Sequence, residues 1–109
     1  MMKKLRNQES VKKSIKKVYA RLLNDLACRS YKIREVSVFG VVYSFYSCPI
    51  RTCQRISLHT AKESLNYGTP YLALHFIEIN ESTLEKITDA ILNNLKCLYE
   101  RQAAEVMES

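Results

Sequence analysis

The sequence predicts an α+β fold in the order α-β-β-(short α)-β-α, with two long helices packed on a small antiparallel sheet. Both ends of the chain have the hydrophobic spacing of amphipathic helices, whereas the middle is rich in β-branched and aromatic residues. The chain has 109 residues, 47% of them hydrophobic and 26% charged, which is enough for one modest core. We therefore expect a single domain over residues 10–103, between a flexible basic arm at 1–9 and a tail at 104–109.

The first helix is expected over residues 10–28. Ser10 is its predicted N-cap, and Asn7 is the alternative. Hydrophobic residues recur every three or four positions and form one stripe, which consists of Val11, Ile15, Val18, Leu22 and Leu26. The opposite arc is basic and consists of Lys12, Lys13, Lys16, Lys17 and Arg21.

Two strands are expected next. The first runs from Tyr31 to Tyr46, is apolar on both faces and contains Gly40, which favours a bulge or a bend. Residues 48–51 include Pro49 and predict a turn. The second strand runs from Arg51 to His59, and alternation places Ile56 and Leu58 on one face and Arg55, Ser57 and His59 on the other.

Two capping-box patterns mark the later helices. Thr60 and Glu63 predict a short helical turn that ends at Gly68, whereas Ser82 and Glu85 predict a long helix that ends near Arg101. Residues 71–79 between them are predicted to form a third strand, and its two apolar faces favour a central position. Helices on one face of such a sheet leave the other face uncovered, so we expect a homodimer.

The charge of the chain is divided between its halves. Residues 1–56 contain 13 lysines and arginines against three acidic residues, and residues 57–109 contain four against eight, for a net charge of +6 overall. A basic half favours a polyanionic partner. No apolar run is long enough for a membrane span, and no signal peptide is recognisable, so we expect a soluble, cytoplasmic protein.

No pattern predicts an enzyme or a metal site. Cys48 and Cys53, with His59 and His75 on the neighbouring strands, are ligand types that suit Zn²⁺. The two cysteines are separated by four residues, which is not the two-residue spacing of zinc knuckles, so we expect reduced thiols, no metal and no cofactor. Ser57 and His59 are the one local hint of nucleophilic catalysis. They share a strand face by periodicity alone, and we interpret them as a polar strand face.

The run Tyr43-Ser-Phe45, Pro49 and Arg55–Thr60 resembles the segment that precedes the core-binding domain in phage-type tyrosine recombinases. The resemblance covers about 22 of the 109 residues. It implies DNA contact by a sheet around Tyr43, Arg51 and Arg55, without recombinase activity, because the chain has no room for the catalytic domain. The order of elements also resembles double-stranded-RNA-binding domains, although their basic helix start is missing at residues 82–86.

These observations favour a small, non-enzymatic, homodimeric nucleic-acid-binding protein of viral or mobile-element origin. DNA is the expected ligand, and RNA is a second variant. The expected contact residues are Lys12, Lys13, Lys16, Lys17, Arg21, Tyr43, Arg51 and Arg55. The alternative is a homodimeric protein-interaction module, an adaptor or an inhibitor, that uses its apolar sheet face.

Overall fold

The computed structural model describes the backbone of residues 8–50, 53–76 and 78–108, and the side chains of residues 9–49, 55–76 and 78–102. Three helices and four strands follow one another within these residues. In chain order they are α1 (Gln8–Ala27), β1 (Lys32–Val38), β2 (Val41–Ile50), β3 (Cys53–Thr60), α2 (Lys62–Asn66), β4 (Ala73–Phe76) and α3 (Thr83–Glu108). Helix α1 includes positions 8 and 9 of the predicted arm, and α3 continues into the predicted tail.

The four strands form one antiparallel sheet in the order β1-β2-β3-β4. Both long helices pack on the same face of this sheet, where their apolar stripes meet the inward side chains of the strands. The predicted α+β class and the packing of two helices on a small antiparallel sheet are therefore confirmed. The stripe predicted for α1 is buried in full, from Val11 at 3% exposed to Leu26 at 3%.

The single strand predicted from Tyr31 to Tyr46 is in fact a hairpin. Phe39 and Gly40 both have positive φ, 51° and 80°, and they connect β1 to β2 as a two-residue turn. The left-handed conformation is easy for Gly40 and strained for a bulky residue such as Phe39. Tertiary pairing overrides this local preference, and the sheet gains a fourth strand.

The turn predicted at residues 48–51 is not observed at its first residues. Cys48 and Pro49 belong to β2, which continues to Ile50, and Pro49 pairs with Gln54 of β3. The prediction of a turn from position 48 is therefore wrong for these two residues, and positions 51 and 52 lie outside the described residues. Strand β4 is shorter than predicted and is an edge strand rather than a central one, because it pairs with β3 alone.

The predicted starts of α1 and α2 differ from the observed ones, whereas α3 begins directly after Ser82, as predicted. Ser10 lies inside α1, where its carbonyl accepts a hydrogen bond from the Ser14 hydroxyl, and Asn7 lies outside the described residues. Thr60 ends β3, and its hydroxyl oxygen accepts from the Leu72 amide at 2.9 Å instead of capping α2. At α3, the Ser82 hydroxyl donates to Asn80 at 2.7 Å.

Two helices end in the same backbone motif. After α2, the predicted Gly68 has a φ of 90°, and the Thr69 amide donates back to the Ser64 carbonyl at 3.1 Å. After α1, Arg29 takes the equivalent place with a φ of 53°, and the Ser30 amide donates to the backbone carbonyl of Asp25 at 2.8 Å. Arg29 thus adopts a conformation that glycine would adopt at lower cost, and the chain turns sharply from α1 into β1.

Candidate functional site

The basic residues of α1 all lie on its solvent side. Lys12, Lys13, Lys16, Lys17 and Arg21 are exposed, while the hydrophobic stripe of the same helix is buried against the sheet. Because the helix is anchored along its whole buried stripe, these five cations are held on a rigid support. Two more exposed cations follow α1, Arg29 in the loop and Lys32 at the start of β1, on either side of Tyr31, which is 62% exposed.

Part of this basic arc faces acidic residues across a cleft. The cleft has a volume of about 800 Å³ and lies between the first turns of α1 and the start of α3. One wall carries Lys12, Lys13 and Lys16, and the other wall carries Glu81, Glu85 and Asp89. Opposite charges on the two walls reduce the attraction of these lysines for an external anion.

Lys17 and Arg21 lie outside the cleft. The ion pairs among the described residues are Lys12 with Glu9, at 3.8 Å and exposed, and Arg34 with Asp25 at 2.9 Å. Lys17 and Arg21 therefore have no acidic partner in the described part of the chain. They lie four residues apart, which places them on one side of the helix about 6 Å apart along its axis. We call these two residues the outer basic stripe.

Arg34, unlike the two residues of the outer basic stripe, is paired with a carboxylate inside the fold. Its guanidinium donates two hydrogen bonds of 2.9 Å to the carboxylate of Asp25, which is 4% exposed. These hydrogen bonds hold the pKa of Asp25 below its ordinary value, against the opposing effect of burial. The pair joins α1 to the edge strand β1.

Tyr43 was predicted to contact nucleic acid, and the structure contradicts this. Its side chain is 0% exposed, and its hydroxyl donates to Asn94 Oδ1 of α3 at 2.7 Å. Asn94 in turn donates to the Pro70 carbonyl at 3.0 Å, so the network joins β2, α3 and the segment before β4. Burial raises the pKa of Tyr43, with a further contribution from nearby Tyr99. A buried ring cannot stack on a base, so Tyr43 is a core residue.

Of the two arginines predicted in the sheet, Arg55 is described, and it is not brought to α1. Arg55 lies in β3 on the face of the sheet opposite the helices, because Ile56 and Leu58 point into the core. Its Nε is buried and has no hydrogen-bond partner among the described residues. Arg51 lies outside the described residues. Among the described residues, the predicted contacts therefore separate into the five cations of α1, the buried Tyr43, and Arg55 on the other side of the sheet.

The side of the sheet away from the helices has its own cluster of polar and aromatic side chains. We call this side the open face, and its residues include Ile33 and Glu35 of β1, Ser44 and Tyr46 of β2, Arg55, Ser57 and His59 of β3, and His75 of β4. Ser57 Oγ lies 2.9 Å from His75 Nδ1. The His59 ring contacts the rings of His75 and Tyr46 edge to face, with centroids 5.3 Å and 5.5 Å away.

Sequence reasoning paired Ser57 with His59, two positions along the strand, whereas the structure pairs Ser57 with His75. The partner is set by the register of β3 against β4, in which Ser57 lies opposite His75. No local pattern could reveal this register. Burial lowers the pKa of His59, and His75 lowers it further, so both effects favour the neutral imidazole.

Three cysteines can be described, and Cys28, Cys48 and Cys97 all carry free thiols. Among the described residues, no group of three or more His, Cys, Asp or Glu side chains is arranged to hold a metal ion. In the same part of the chain, no helix is long and apolar enough to cross a membrane.

No protein-family model, curated protein or solved structure matches this chain.

Proposed function

We propose that this chain is a non-enzymatic protein that binds nucleic acid, with DNA as the expected ligand, through phosphate contacts from α1. The observation that supports the proposal most directly is the outer basic stripe. Lys17 and Arg21 are exposed, are free of acidic partners among the described residues, and lie on a helix that the core holds in place. Lysine and arginine in such a position neutralise phosphates and release condensed counterions.

The geometry favours contact with the nucleic-acid backbone over base readout. An exposed helix face without an aromatic or amide side chain between its cations positions a duplex but does not distinguish sequences. Tyr43 is buried, and Arg55 points away from α1 on the other side of the sheet. One docked duplex therefore cannot use both the α1 cations and the open face unless it wraps around the domain.

The number of phosphates contacted is the quantity to measure. Each neutralised phosphate adds about 0.9 to the slope of log K against log salt. Lys13 also lines the cleft. If it turns outward to join the outer basic stripe while Lys12 and Lys16 stay with the acidic wall, three contacts give a slope of magnitude about 3. If all five cations bind phosphates, the slope rises to about 4.5.

Two matched double variants test the proposal, because each removes two positive charges from the same helix. Lys17→Gln/Arg21→Gln should weaken binding to a labelled duplex and reduce the slope by about 1.8. Lys12→Gln/Lys16→Gln, which changes the cleft wall, should leave the slope within about 0.5 of the wild type. Fluorescence anisotropy at four salt concentrations on two unrelated duplexes gives both slopes.

An equal loss of duplex affinity in the two double variants would show that total charge, rather than the outer basic stripe, attracts the duplex. If the wild type binds no duplex or single strand at low ionic strength, the proposed function is wrong. Affinity that differs by more than tenfold between the two duplexes would also contradict a purely phosphate-based contact.

A second candidate function is supported by a different observation. Ile33 is 57% exposed on the open face, where the half-buried Val42 and Tyr46 extend the apolar surface. The alternative to an open face exposed to solvent is that a second copy of the chain covers it, as a homodimer or as part of a protein-interaction module. A stable protein–protein interface buries about 1,200–2,000 Å² in total, about half of it on each partner. Each copy would therefore contribute most of one face of its small sheet.

Light scattering at micromolar concentration tests this second candidate. This alternative predicts a dimeric mass for the wild type and a monomeric mass for Ile33→Lys. The matched control is Leu23→Lys, because Leu23 is 39% exposed but lies on α1. A monomeric wild type, or dimers in both variants, would show that the open face is not the interface.

A further inference from the structure

The chain contains two histidines, and the fold brings their side chains together. His59 lies in β3 and His75 in β4, 16 residues apart in sequence, and their ring centroids are 5.3 Å apart with an interplanar angle of 71°. Both rings are on the open face, within reach of solvent, because the core side of these strands carries Leu58 and Leu74.

This separation is the one that two imidazoles need in order to bind a single metal ion. Imidazole nitrogens lie about 2.0–2.1 Å from Zn²⁺, so two rings on one tetrahedral ion have centroids about 5 Å apart. The observed centroid separation of 5.3 Å matches this requirement, and rotation about the side-chain bonds is what would turn the two ring nitrogens toward one ion.

Ser57 prepares His75 for such a role. With the proton on Nδ1, the ring donates to Ser57 Oγ at the observed 2.9 Å and leaves the Nε2 lone pair free. This is the arrangement found at metal-ligating histidines, where the second nitrogen donates to an oxygen that fixes the ring orientation. Tyr46 has a comparable orienting contact with His59, edge to face at 5.5 Å.

We propose that His59 and His75 form a two-histidine site for a divalent transition-metal ion of the zinc or copper class. The site is exchangeable rather than structural, because two protein ligands leave the other positions of the ion to water. It lies on the side of the sheet away from α1, and it does not depend on nucleic-acid binding.

Two charged residues of the open face, Arg55 and Glu35, have opposite effects on a bound cation, because the first repels it and the second attracts it. Arg55 lies two positions before Ser57 on the same strand, and Glu35 lies two strands from His59 in the same cross-strand row, with Ser44 between them. Neither is opposite the histidine pair, so the two imidazoles are the ligands to test. Imidazole ligands select Cu²⁺ over Zn²⁺ and discriminate against Mg²⁺, which requires oxygen ligands.

The first experiment is a titration of ¹⁵N-labelled protein with Zn²⁺, followed through the imidazole resonances. Because the chain has two histidines, the spectrum contains two ring systems. We expect both to shift together with one equivalent of Zn²⁺ and neither to shift with Mg²⁺. The cysteines are alkylated beforehand, since Cys28, Cys48 and Cys97 carry free thiols that also bind zinc.

Variants separate the ligands from the residue that positions them. In calorimetry, His59→Gln and His75→Gln should each weaken Zn²⁺ binding at least 30-fold, while circular dichroism confirms that both remain folded. Ser57→Ala should weaken binding about tenfold through loss of the orienting hydrogen bond. Ser37→Ala is the matched control, an exposed serine of β1 on the same face, and should leave the affinity unchanged.

A shift of one imidazole alone, or equal Zn²⁺ affinity in the wild type and in either histidine variant, would overturn the proposal. Unchanged Zn²⁺ affinity in Ser57→Ala would show that Ser57 does not position His75. Loss of duplex binding in the Lys17→Gln/Arg21→Gln variant has no bearing on these results, so the two proposals fail separately.

Discussion

The two faces of the sheet are built from the same four strands and differ in almost every other respect. On the face that packs against α1 and α3, Tyr43, Phe45, Ile56 and Leu58 are 0% exposed. On the open face, their immediate neighbours in sequence are half-buried or exposed, and several are polar. Adjacent residues such as Phe45 and Tyr46 thus have opposite surroundings, because successive side chains of a strand point to opposite faces.

The difference shows where stability and where chemistry reside in this molecule. The covered face includes few polar groups, and the hydroxyl of Tyr43 has its own partner in Asn94, as burial requires. The open face carries polar groups and two imidazoles without comparable cost, because water reaches them. A small domain can therefore present reactive side chains on one face while the other face supports the fold.

The largest expected effect compares Phe45 with Tyr46. Phe45→Ala removes a fully buried ring and should lower the free energy of unfolding by about 3–5 kcal/mol. Tyr46→Ala removes a half-buried ring from the open face and should cost about 1 kcal/mol or less. Urea denaturation followed by circular dichroism measures both values.

Similar losses for the two ring deletions would indicate that the open face is itself covered, as in an obligate dimer. The protein-concentration dependence of the urea midpoint distinguishes this outcome, since a dimer becomes more stable at higher concentration.

A smaller effect compares one hydroxyl on each face. Tyr43→Phe leaves Asn94 Oδ1 buried without its donor and should cost about 1–3 kcal/mol. Ser57→Ala removes a hydrogen bond that solvent can replace, and the free energy of unfolding should change by no more than about 0.5 kcal/mol. A double-mutant cycle of Tyr43→Phe with Asn94→Ala isolates the coupling. Coupling near zero would mean that the buried pair adds nothing beyond packing.

The smallest effect concerns pH. The pKa of His59 in the folded protein is below its ordinary value of 6.5, because of burial and of His75. As the pH falls below 6.5, the unfolded chain takes up a proton at this residue before the folded chain does, so stability decreases until the folded imidazole is protonated as well. Above pH 6.5 the contribution of the neutral His59 imidazole to stability is fully present.

Urea midpoints measured from pH 7.5 to 5 should therefore decline in the wild type and decline less in His59→Gln. Because the two imidazoles are in contact, His75→Gln should also reduce the decline, by removing the second charge. Parallel pH profiles for the wild type and His59→Gln would contradict the expected direction of the shift.

Much of the fold was predictable because its signals are local. The stripe of α1, from Val11 to Leu26, repeats at helical spacing and is buried as expected, and α3 buries Ile87, Ile91, Leu95 and Leu98 at the same spacing. Alternation in β3 placed Ile56 and Leu58 inward, as observed. The hairpin at Phe39 and Gly40 was missed because a bulky residue in a left-handed turn is not a recognisable turn signal.

The candidate site was only partly predictable. Exposure of the α1 cations follows from helical periodicity, since the buried stripe leaves them the outer arc. The interpretation of Tyr43 as a contact residue was wrong, because both faces of β2 carry aromatic residues and alternation does not say which set faces the helices. The division of the lysines between the cleft and the outer basic stripe depends on α3, which is about 70 residues later in the chain.

The sequence by itself determined the class of the fold, the buried stripes of its helices and the basic surface of α1, because each depends on periodicity within one element. Tertiary structure alone decided which face of the sheet the helices cover, which lysines lie opposite Glu85 and Asp89, and that His59 lies beside His75. The physical reason is that strand register and helix docking are set by contacts between distant segments. The free energy of those contacts depends on how the whole core packs rather than on any local pattern.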